Sequence, residues 1–305
     1  MAATARPASM SESRAPESPR AIFWRRFRNN KLAMVSLIIL IGLILIAVFG
    51  PMIYQMSATK LDYAAINANP SAAHVAGTDN LGRDTLARIM LGLRVSLLVA
   101  FYVELINIAL GVPLGLAAGY FGGLSDTIVS RIGDVLFAFP GLLLAILIAA
   151  IFGSAVSEQF GGIGRLLLVA GALSLVSWPL MARLVRGQAL AIREREYVEA
   201  ARSVGATGNR IVFRHIMPQI VGLIVATSTL NVASVVVAEA VLSLLGLGIQ
   251  PPDPSIGKMI TEAIPYLEQN PLQVFLPSAV LMLLVLVVSF VGDGLRDALD
   301  PQSLK

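Results

Sequence analysis

Long apolar runs constrain this chain more than any other feature of its sequence. The first extends from about residue 32 to 54 without a single charged side chain, and several similar runs follow it. Inside a bilayer the backbone has no water to bind, so a stretch of about 18 apolar residues or more can cross only as a helix. Charged residues make up 14% of the chain, whereas a soluble domain would carry about a quarter. The sequence therefore predicts an all-α polytopic membrane protein.

The spacing of the apolar runs predicts six transmembrane helices within 32–301. Their approximate ranges are 32–54, 95–118, 127–152, 165–182, 219–246 and 274–291. Pro140 lies inside the third range and is expected to kink that helix, because proline lacks the N–H that a helix interior needs. A glycine-rich loop over 153–164 is predicted to join the third and fourth helices, and an amphipathic helix over 86–93 to lead into the second.

The N-terminal part of the chain divides into two segments. Residues 1–20 mix Ala, Ser, Pro and Arg without apolar periodicity, which predicts a disordered cytoplasmic tail. Residues 21–31 combine aromatic side chains such as Trp24 and Phe27 with a basic cluster. That composition fits a short helix in the inner headgroup layer, and it fits a plain juxtamembrane anchor equally well.

Basic residues predict how the helices are oriented in the membrane. With the N-terminus inside, the inner segments hold 17 of the 23 lysines and arginines and the outer segments hold 6. Both termini are therefore expected to be cytoplasmic. The positive charge of the chain follows from this topology and does not indicate nucleic-acid binding.

A hydrophilic segment, 183–218, lies between the fourth and fifth predicted helices and carries seven arginines. Apolar residues recur in it at helical spacing on both sides of Gly205, where a helix end favours a residue tolerant of positive φ. Thr207 can cap the second short helix, and Pro218 ends that helix or opens the next span. The apolar positions are Tyr197, Val198, Ala201 and Val204, then Ile211, Val212 and Ile216. The segment is predicted to be a basic helix–Gly–helix element at a membrane face, with a shape suited to binding by a partner protein.

The same segment resembles the EAA motif of ABC importer permeases. The motif's Glu, both its alanines, its Gly and its Pro are matched, whereas His215 and Met217 stand where the motif has Ile and Leu. In that family the segment is the coupling helix that docks into the ATP-hydrolysing subunit. The resemblance thus implies an ATPase-coupling role for Glu199, Ala200, Ala201, Arg202, Gly205 and Pro218.

Four further stretches narrow the resemblance to one subgroup. They are GTDNLGRD (77–84), AGYFGG (118–123), LGLGIQPPDP (245–254) and GDGLRDALDP (292–301). Together with the EAA-like run they resemble the C-type permeases of dipeptide, oligopeptide, glutathione and nickel importers, over about residues 21–301. The resemblance implies the type I ABC importer permease fold in a bacterial inner membrane. It also implies four partners: a homologous B-type permease, cytoplasmic ATPase subunits, an extracytoplasmic solute-binding protein on the outer loops, and a peptide-like cargo.

ATP chemistry is not expected on this chain. A P-loop needs a Gly-Lys-Ser/Thr run to hold phosphates and magnesium, and the only lysine that follows a glycine, Lys258, precedes Met259. ATP and Mg are therefore expected on partner subunits, and the chain is not predicted to be an enzyme. Cysteine is absent, and His74 and His215 lie far apart without metal-ligand neighbours, so no metal site is predicted.

Polar residues inside the predicted spans are candidates for the transport pathway, because a charge in hydrocarbon is costly and faces protein or water. Glu104 with Asn107, and Glu239 with Ser243, are the two such pairs. Interhelical hydrogen bonding, or a contact with the paired permease, is the alternative for Glu104. For Glu239 the structural and pathway roles weigh about equally. Asp134 is expected to form a structural pair with Arg131.

A self-sufficient, proton-coupled secondary transporter is the alternative function, with Glu104, Asp134 or Glu239 as the coupling acid. It would explain the buried acids, but it leaves the basic helix–Gly–helix element unexplained. The sequence also lacks the paired interrupted spans typical of such transporters. A membrane-embedded enzyme is the weakest alternative, because no nucleophile or metal constellation is present.

Overall fold

The computed structural model describes residues 19–299 of the chain, and this part folds as helices joined by turns and loops without a β-strand. The helices are α1 (Pro19–Asn29), α2 (Lys31–Ile53), α3 (Thr85–Leu116), α4 (Gly123–Phe137), α5 (Gly141–Arg193), α6 (Glu196–Ser203), α7 (Gly208–Ile211), α8 (Met217–Leu244), α9 (Ile256–Ala263) and α10 (Leu272–Leu299). The π-helical turns Ala117–Phe121 and Val212–Ile216 extend α3 and precede α8.

Five helical stretches of the described chain are long and apolar enough to cross a membrane. They are Lys31–Ile53, Thr85–Phe121, Gly141–Arg193, Gly208–Leu244 and Leu272–Leu299. The amphipathic helix predicted over 86–93 and the second predicted span form a single helix. That helix begins after Asp84, whose Oδ1 accepts a hydrogen bond from the backbone N–H of Ala87 at 2.8 Å.

The longest of these stretches, α5, folds back on itself at Gly161. A straight helix of its 53 residues would be about 80 Å long, far more than the ~30 Å hydrocarbon core. Gly161 has φ 61° and ψ −149°, outside the helical region. A Cβ built on Gly141 would lie 3.6 Å from Cβ of Val176, which a straight helix would place far away. The two halves, 141–160 and 162–193, therefore run antiparallel, and this reversal favours the six-span layout.

Two details of the predicted third span are wrong. The range 127–152 is not one continuous helix. Helix α4 ends at Phe137, and Pro140 caps the start of α5. Proline disfavours a helical conformation in the residue before it, here Phe139, so the chain breaks where a kink was expected.

The glycine-rich loop predicted over 153–164 is also wrong, because only Gly161 leaves the helical conformation. The neighbouring glycines serve packing instead. A Cβ on Gly153 would overlap the guanidinium of Arg165, and a Cβ on Gly164 would lie 3.0 Å from the carbonyl of Val156.

Three glycines bring α3 against the second half of α5. Gly111, Gly115 and Gly119 recur every four residues, and a Cβ on each would lie 2.5–2.8 Å from an atom of the 178–189 region. Small residues at this spacing allow two membrane helices to approach backbone to backbone. The interface between α3 and α5 is the most extensive between two helices of the described chain; α8 packs on both of them, whereas α10 packs mainly on α2 and α8.

Near the N-terminus, α1 packs across the end of α10. Phe27 is buried against Ala33 and Ala298, whereas Trp24 is half exposed. An amphipathic helix with an exposed aromatic beside basic residues fits the interfacial helix expected for 21–31. The tail predicted for 1–20 lies, up to residue 18, outside the described residues.

The loops gather at two opposite ends of the helices. At one end, here named the basic end, the turn 117–123 meets the segment 193–216: Arg193 Nη1 donates to the carbonyl of Tyr120 at 3.2 Å. At the other, the loop end, the 54–84 and 245–271 loops lie beside the Gly161 turn. Arg165 Nε donates there to the carbonyl of Gly248 at 2.9 Å.

The Gly161 turn yields a stability prediction. Gly161→Ala places a side chain in a backbone region that glycine alone adopts readily, which costs about 1–3 kcal/mol, although no atom would obstruct the new Cβ. The apparent melting temperature in detergent should fall by several degrees. Gly171→Ala is the matched control, since Gly171 is helical with equal space around it, and it should not lower the melting temperature. Equal melting temperatures for the two variants would contradict the strained turn.

Candidate functional site

The helix–Gly–helix element is present at the basic end, and its glycine performs the expected conformational role. Helix α6 ends where Gly205 adopts φ 83°. The N–H of Gly205 donates to the carbonyl of Arg202 at 3.0 Å, and the N–H of Ala206 donates to that of Ala201 at 3.0 Å. These two bonds form a Schellman motif, which satisfies the last carbonyls of α6 and turns the chain sharply.

One side of α6 packs onto the membrane helices. Val198 is completely buried, in an apolar cluster with residues of the second half of α5 and the start of α8. The apolar positions predicted for the second short helix are buried with it; they are Ile211, Val212 and Ile216. Thr207 stands at the N-cap of α7, but its backbone carbonyl and not its side chain accepts the hydrogen bond from Ile211.

The other side of α6 faces away from the protein. Of its four predicted apolar positions, Val198 and Ala201 face the core, whereas Tyr197 is 40% exposed and Val204 85% exposed. Glu199 and Arg202 are also exposed, and neither forms an ion pair within the described chain. The exposed side of α6 therefore combines two apolar side chains with two charges that have no ion-pair partner within residues 19–299.

The element is connected to the spans by polar contacts that the sequence did not reveal. Gln219 Nε2, one residue after Pro218, donates to Oη of Tyr197 at 2.6 Å and so ties α6 to α8. Gly208 packs against the ring of Phe121 in the AGYFGG turn. Helical spacing placed Tyr197 on the apolar face of its helix, and no sequence signal predicts that its hydroxyl pairs with Gln219.

The predicted pair Glu104 and Asn107 is part of a buried polar network. Oε1 of Glu104 accepts hydrogen bonds from Nδ2 of Asn107, at 3.3 Å, and from Nδ2 of Asn231. Asn107 Oδ1 in turn accepts from the hydroxyl of Ser177 at 2.9 Å. The network bridges α3, α5 and α8, which is the geometry of interhelical hydrogen bonding.

The second predicted pair is enclosed within the subunit. Glu239 is completely buried, with Oε1 accepting from Ser243 Oγ at 2.8 Å and Oε2 from Ser96 Oγ at 2.7 Å. None of these three residues lines one of the larger cavities. Their placement favours a structural role between α3 and α8.

Asp134 does not pair with Arg131 as expected. Its Oδ1 accepts from Nη2 of Arg183 at 2.9 Å, and the neighbouring Asp126 accepts from Nη2 of Arg186 at 2.8 Å. Because α4 is a separate helix lying along α5, its acidic residues meet the arginines of α5. The Arg186 guanidinium holds the pKa of the Asp126 carboxyl below its ordinary value, so this pair stays ionised at neutral pH.

A groove along α8 contains polar residues that the sequence analysis missed. Thr227, Asn231 and Ser234 lie on one face of this helix, along a cavity of about 380 Å³ closed by α5 and α10. A second cavity of about 470 Å³ continues the groove past Ser289. The i, i+4, i+7 spacing of the three polar residues within an apolar helix was the signal that could have identified this face.

Residues 19–299 contain no group of three or more His, Asp or Glu side chains that could hold a metal ion. His74 contacts Oδ2 of Asp84 through Nδ1 at 2.9 Å, at the loop end, far from His215 in the π-helical turn of the basic end.

Comparison with known proteins gives consistent matches along the chain. Residues 111–305 match the family described as binding-protein-dependent transport system inner membrane component. Residues 18–70 match the N-terminal transmembrane domain of oligopeptide transport permease C.

Three curated relatives cover nearly the whole chain. A glutathione transport system permease protein of Pectobacterium atrosepticum is 42% identical over 92% of this chain and 90% of its own length. A dipeptide transport system permease protein of Alkalihalophilus pseudofirmus is 39% identical, over 93% and 90%. An oligopeptide transport system permease protein of Bacillus subtilis is 40% identical, over 92% and 88%.

Solved structures of the inward-facing MetNI methionine ABC transporter share the fold. Two crystal forms give TM-scores of 0.52 and 0.54 at 22% and 21% identity, each covering 70% of this chain and 96% of the matched chain. The predicted all-α importer permease fold is thereby confirmed.

These findings favour an ATP-driven importer over a self-sufficient secondary transporter, and the relatives are transport permeases rather than enzymes. An importer of this kind works in the inner membrane with an ATPase and a solute-binding protein. The chain belongs to the family of binding-protein-dependent transport system inner membrane components, as a multi-pass permease subunit of the peptide-type ABC importers.

Proposed function

We propose that α6 and the Schellman turn at Gly205 form the surface that docks into a cytoplasmic ATPase subunit. The observation that carries this proposal is the two-sided character of α6: Val198 is completely buried whereas Val204 is 85% exposed. The buried side transmits displacement to α5, and the Tyr197–Gln219 hydrogen bond transmits it to α8. The coupling residues are Glu199, Ala200, Ala201, Arg202, Gly205 and Pro218. ATP and Mg bind to the ATPase subunits, and both termini of this chain are cytoplasmic.

The groove along α8 is proposed as this subunit's half of the transport pathway, the other half coming from a homologous B-type permease. Hydroxyl and amide groups along an otherwise apolar span are poorly suited to lipid and well suited to water or a polar cargo. Asn231 lines the groove and bonds to Glu104. Glu104, which is itself bonded to Asn107, therefore fixes the orientation of the Asn231 amide.

A peptide or a related small solute is the proposed cargo, because the relatives are named for glutathione, dipeptides and oligopeptides. An extracytoplasmic solute-binding protein delivers it to the 54–84 and 245–271 loops of the loop end. Those two loops meet at the end opposite α6, where Nδ2 of Asn270 donates to the carbonyl of Asn67 at 3.2 Å.

The docking proposal predicts a loss of coupling in Gly205→Val. A β-branched residue at φ 83° costs about 1–2 kcal/mol or more in the left-handed region, and it would unwind the turn that shapes the docking surface. Uptake of labelled peptide into cells should fall at least tenfold while the protein stays inserted and assembled. Gly187→Val, in the exposed part of α5 where no atom obstructs a new side chain, should retain uptake. Normal uptake in Gly205→Val would contradict the coupling role.

The pathway proposal predicts that filling the groove slows transport. Ser234→Leu puts an isobutyl group into the cavity, and uptake should fall several-fold with the complex intact and its ATPase active. Thr229→Leu changes an exposed hydroxyl that bonds only to the carbonyl of Val225 in its own helix. If both variants slowed uptake equally, the groove would not be the pathway.

Glu239 should tolerate an uncharged isostere. In Glu239→Gln the amide can accept from one serine hydroxyl and donate to the other, so uptake and cargo preference should stay unchanged. In Glu239→Leu both serine hydroxyls lose their acceptor, which destabilises the fold by about 1–3 kcal/mol each. The melting temperature should therefore fall. A changed cargo preference in Glu239→Gln would restore the pathway role for this residue.

A further inference from the structure

Three buried polar atoms without a hydrogen-bond partner meet at one small cavity of the loop end. They are Oδ1 of Asn80, Oγ1 of Thr85 and Oε1 of Gln273, and they make up three of the five such side-chain atoms within residues 19–299. All three residues line a cavity of about 10 Å³. Unpartnered polar atoms are rare in folded proteins, so their convergence on one cavity points to a ligand.

The three atoms come from different parts of the fold. Asn80 belongs to the 54–84 loop, Thr85 is the first residue of α3, and Gln273 lies in the first turn of α10. Thr85 is 2% exposed and Gln273 5% exposed, so bulk solvent cannot serve them. The amide of Gln273 is oriented by its nitrogen, which donates to the carbonyl of Thr78 at 2.8 Å and to Oδ1 of Asn67 at 2.9 Å. Its carbonyl oxygen is therefore the atom that faces the cavity.

The charges around the cavity exclude an ion. Asp79 and Glu262 line it, but each already accepts hydrogen bonds from the guanidinium groups of Arg83 and Arg88. These four charges balance, so a cation would add an uncompensated charge beside Arg88. An anion would face two amide carbonyl oxygens, which repel it.

A neutral molecule with two donors and one acceptor fits the three atoms. It must donate to the carbonyl oxygens of Asn80 and Gln273 and accept from the hydroxyl of Thr85. A cavity of about 10–15 Å³ holds one water molecule, and a buried water makes about three hydrogen bonds. Both the size of the cavity and its lining thus match a single water.

We propose that this cavity is a binding site for one structural water, which joins the 54–84 loop to α3 and α10. The water completes a junction that already contains the Asp79–Arg83–Arg88–Glu262 ion pairs. By bridging three elements it holds the loop in one shape at the surface of the loop end. The site does not depend on which protein docks there.

A crystal structure of the importer complex at about 2 Å resolution tests the site directly. The expected result is a density peak at about 2.6–3.2 Å from all three oxygens. Crystals prepared with Rb⁺ in place of Na⁺ should show no anomalous signal at this peak. An empty cavity, or an anomalous signal from Rb⁺, would overturn the proposal.

Two substitutions of Thr85 test the role of the water in the loop. Thr85→Ser keeps the hydroxyl and should keep the peak. Thr85→Val has nearly the shape of threonine without the hydroxyl, so the peak should disappear. Hydrogen exchange of the amides in 77–85 should then accelerate about tenfold relative to Thr85→Ser. A peak and exchange rates in Thr85→Val equal to those of the unchanged protein would show that the hydroxyl holds no water.

Discussion

The close contact between α3 and the second half of α5 is the interaction on which the rest of the structure depends. In a membrane, helices gain little from the hydrophobic effect and associate through packing, so the glycines at 111, 115 and 119 supply much of the available attraction. The contact also orients the second half of α5. Residues 162–193 contact the 245–254 loop through Arg165 at one end and carry α6 on Val185, Ala189 and Ile192 at the other. The basic end and the loop end are thus both built on one helix.

Glu104 and Glu239, the carboxyl groups buried within the spans, bond to neutral donors. Glu104 accepts from two asparagine amides and Glu239 from two serine hydroxyls, and within the described residues neither has a cationic partner. Neutral donors avoid burying a second charge, which in a low-dielectric interior often costs more than the ion pair returns. Ion pairs occur at the ends instead, where Arg183 and Arg186 meet α4 and where Arg83 and Arg88 meet α9. Ion pairs therefore stabilise the two ends of the helices, whereas packing stabilises their middle.

Much of this arrangement could be predicted from the sequence, because apolar length and helix-breaking residues carry strong signals. The membrane helices, the helix–Gly–helix element and the turn at Gly205 follow from such patterns. Helical spacing placed Tyr197, Val198, Ala201 and Val204 on one apolar face, but it could not tell which edge of that face meets the protein. A reversal between the third and fourth spans was predicted, but its confinement to Gly161 was not, because the neighbouring glycines suggested a loop although they serve close packing. The partner of Asp134 depends on a tertiary contact that no local pattern encodes, whereas the polar face of α8 could have been identified from its i, i+4, i+7 spacing.

The reversal at Gly161 has a consequence for how the chain can vary. Because a single residue makes the turn, the two antiparallel helices are joined without a loop that could accommodate an inserted residue. An inserted residue would rotate the following helix by about 100°, turning its small-residue face away from α3 and its arginine away from the 245–254 loop. Related chains should therefore differ in length in the 54–84 loop, which can absorb extra residues, and keep the distance between residue 161 and α6 constant.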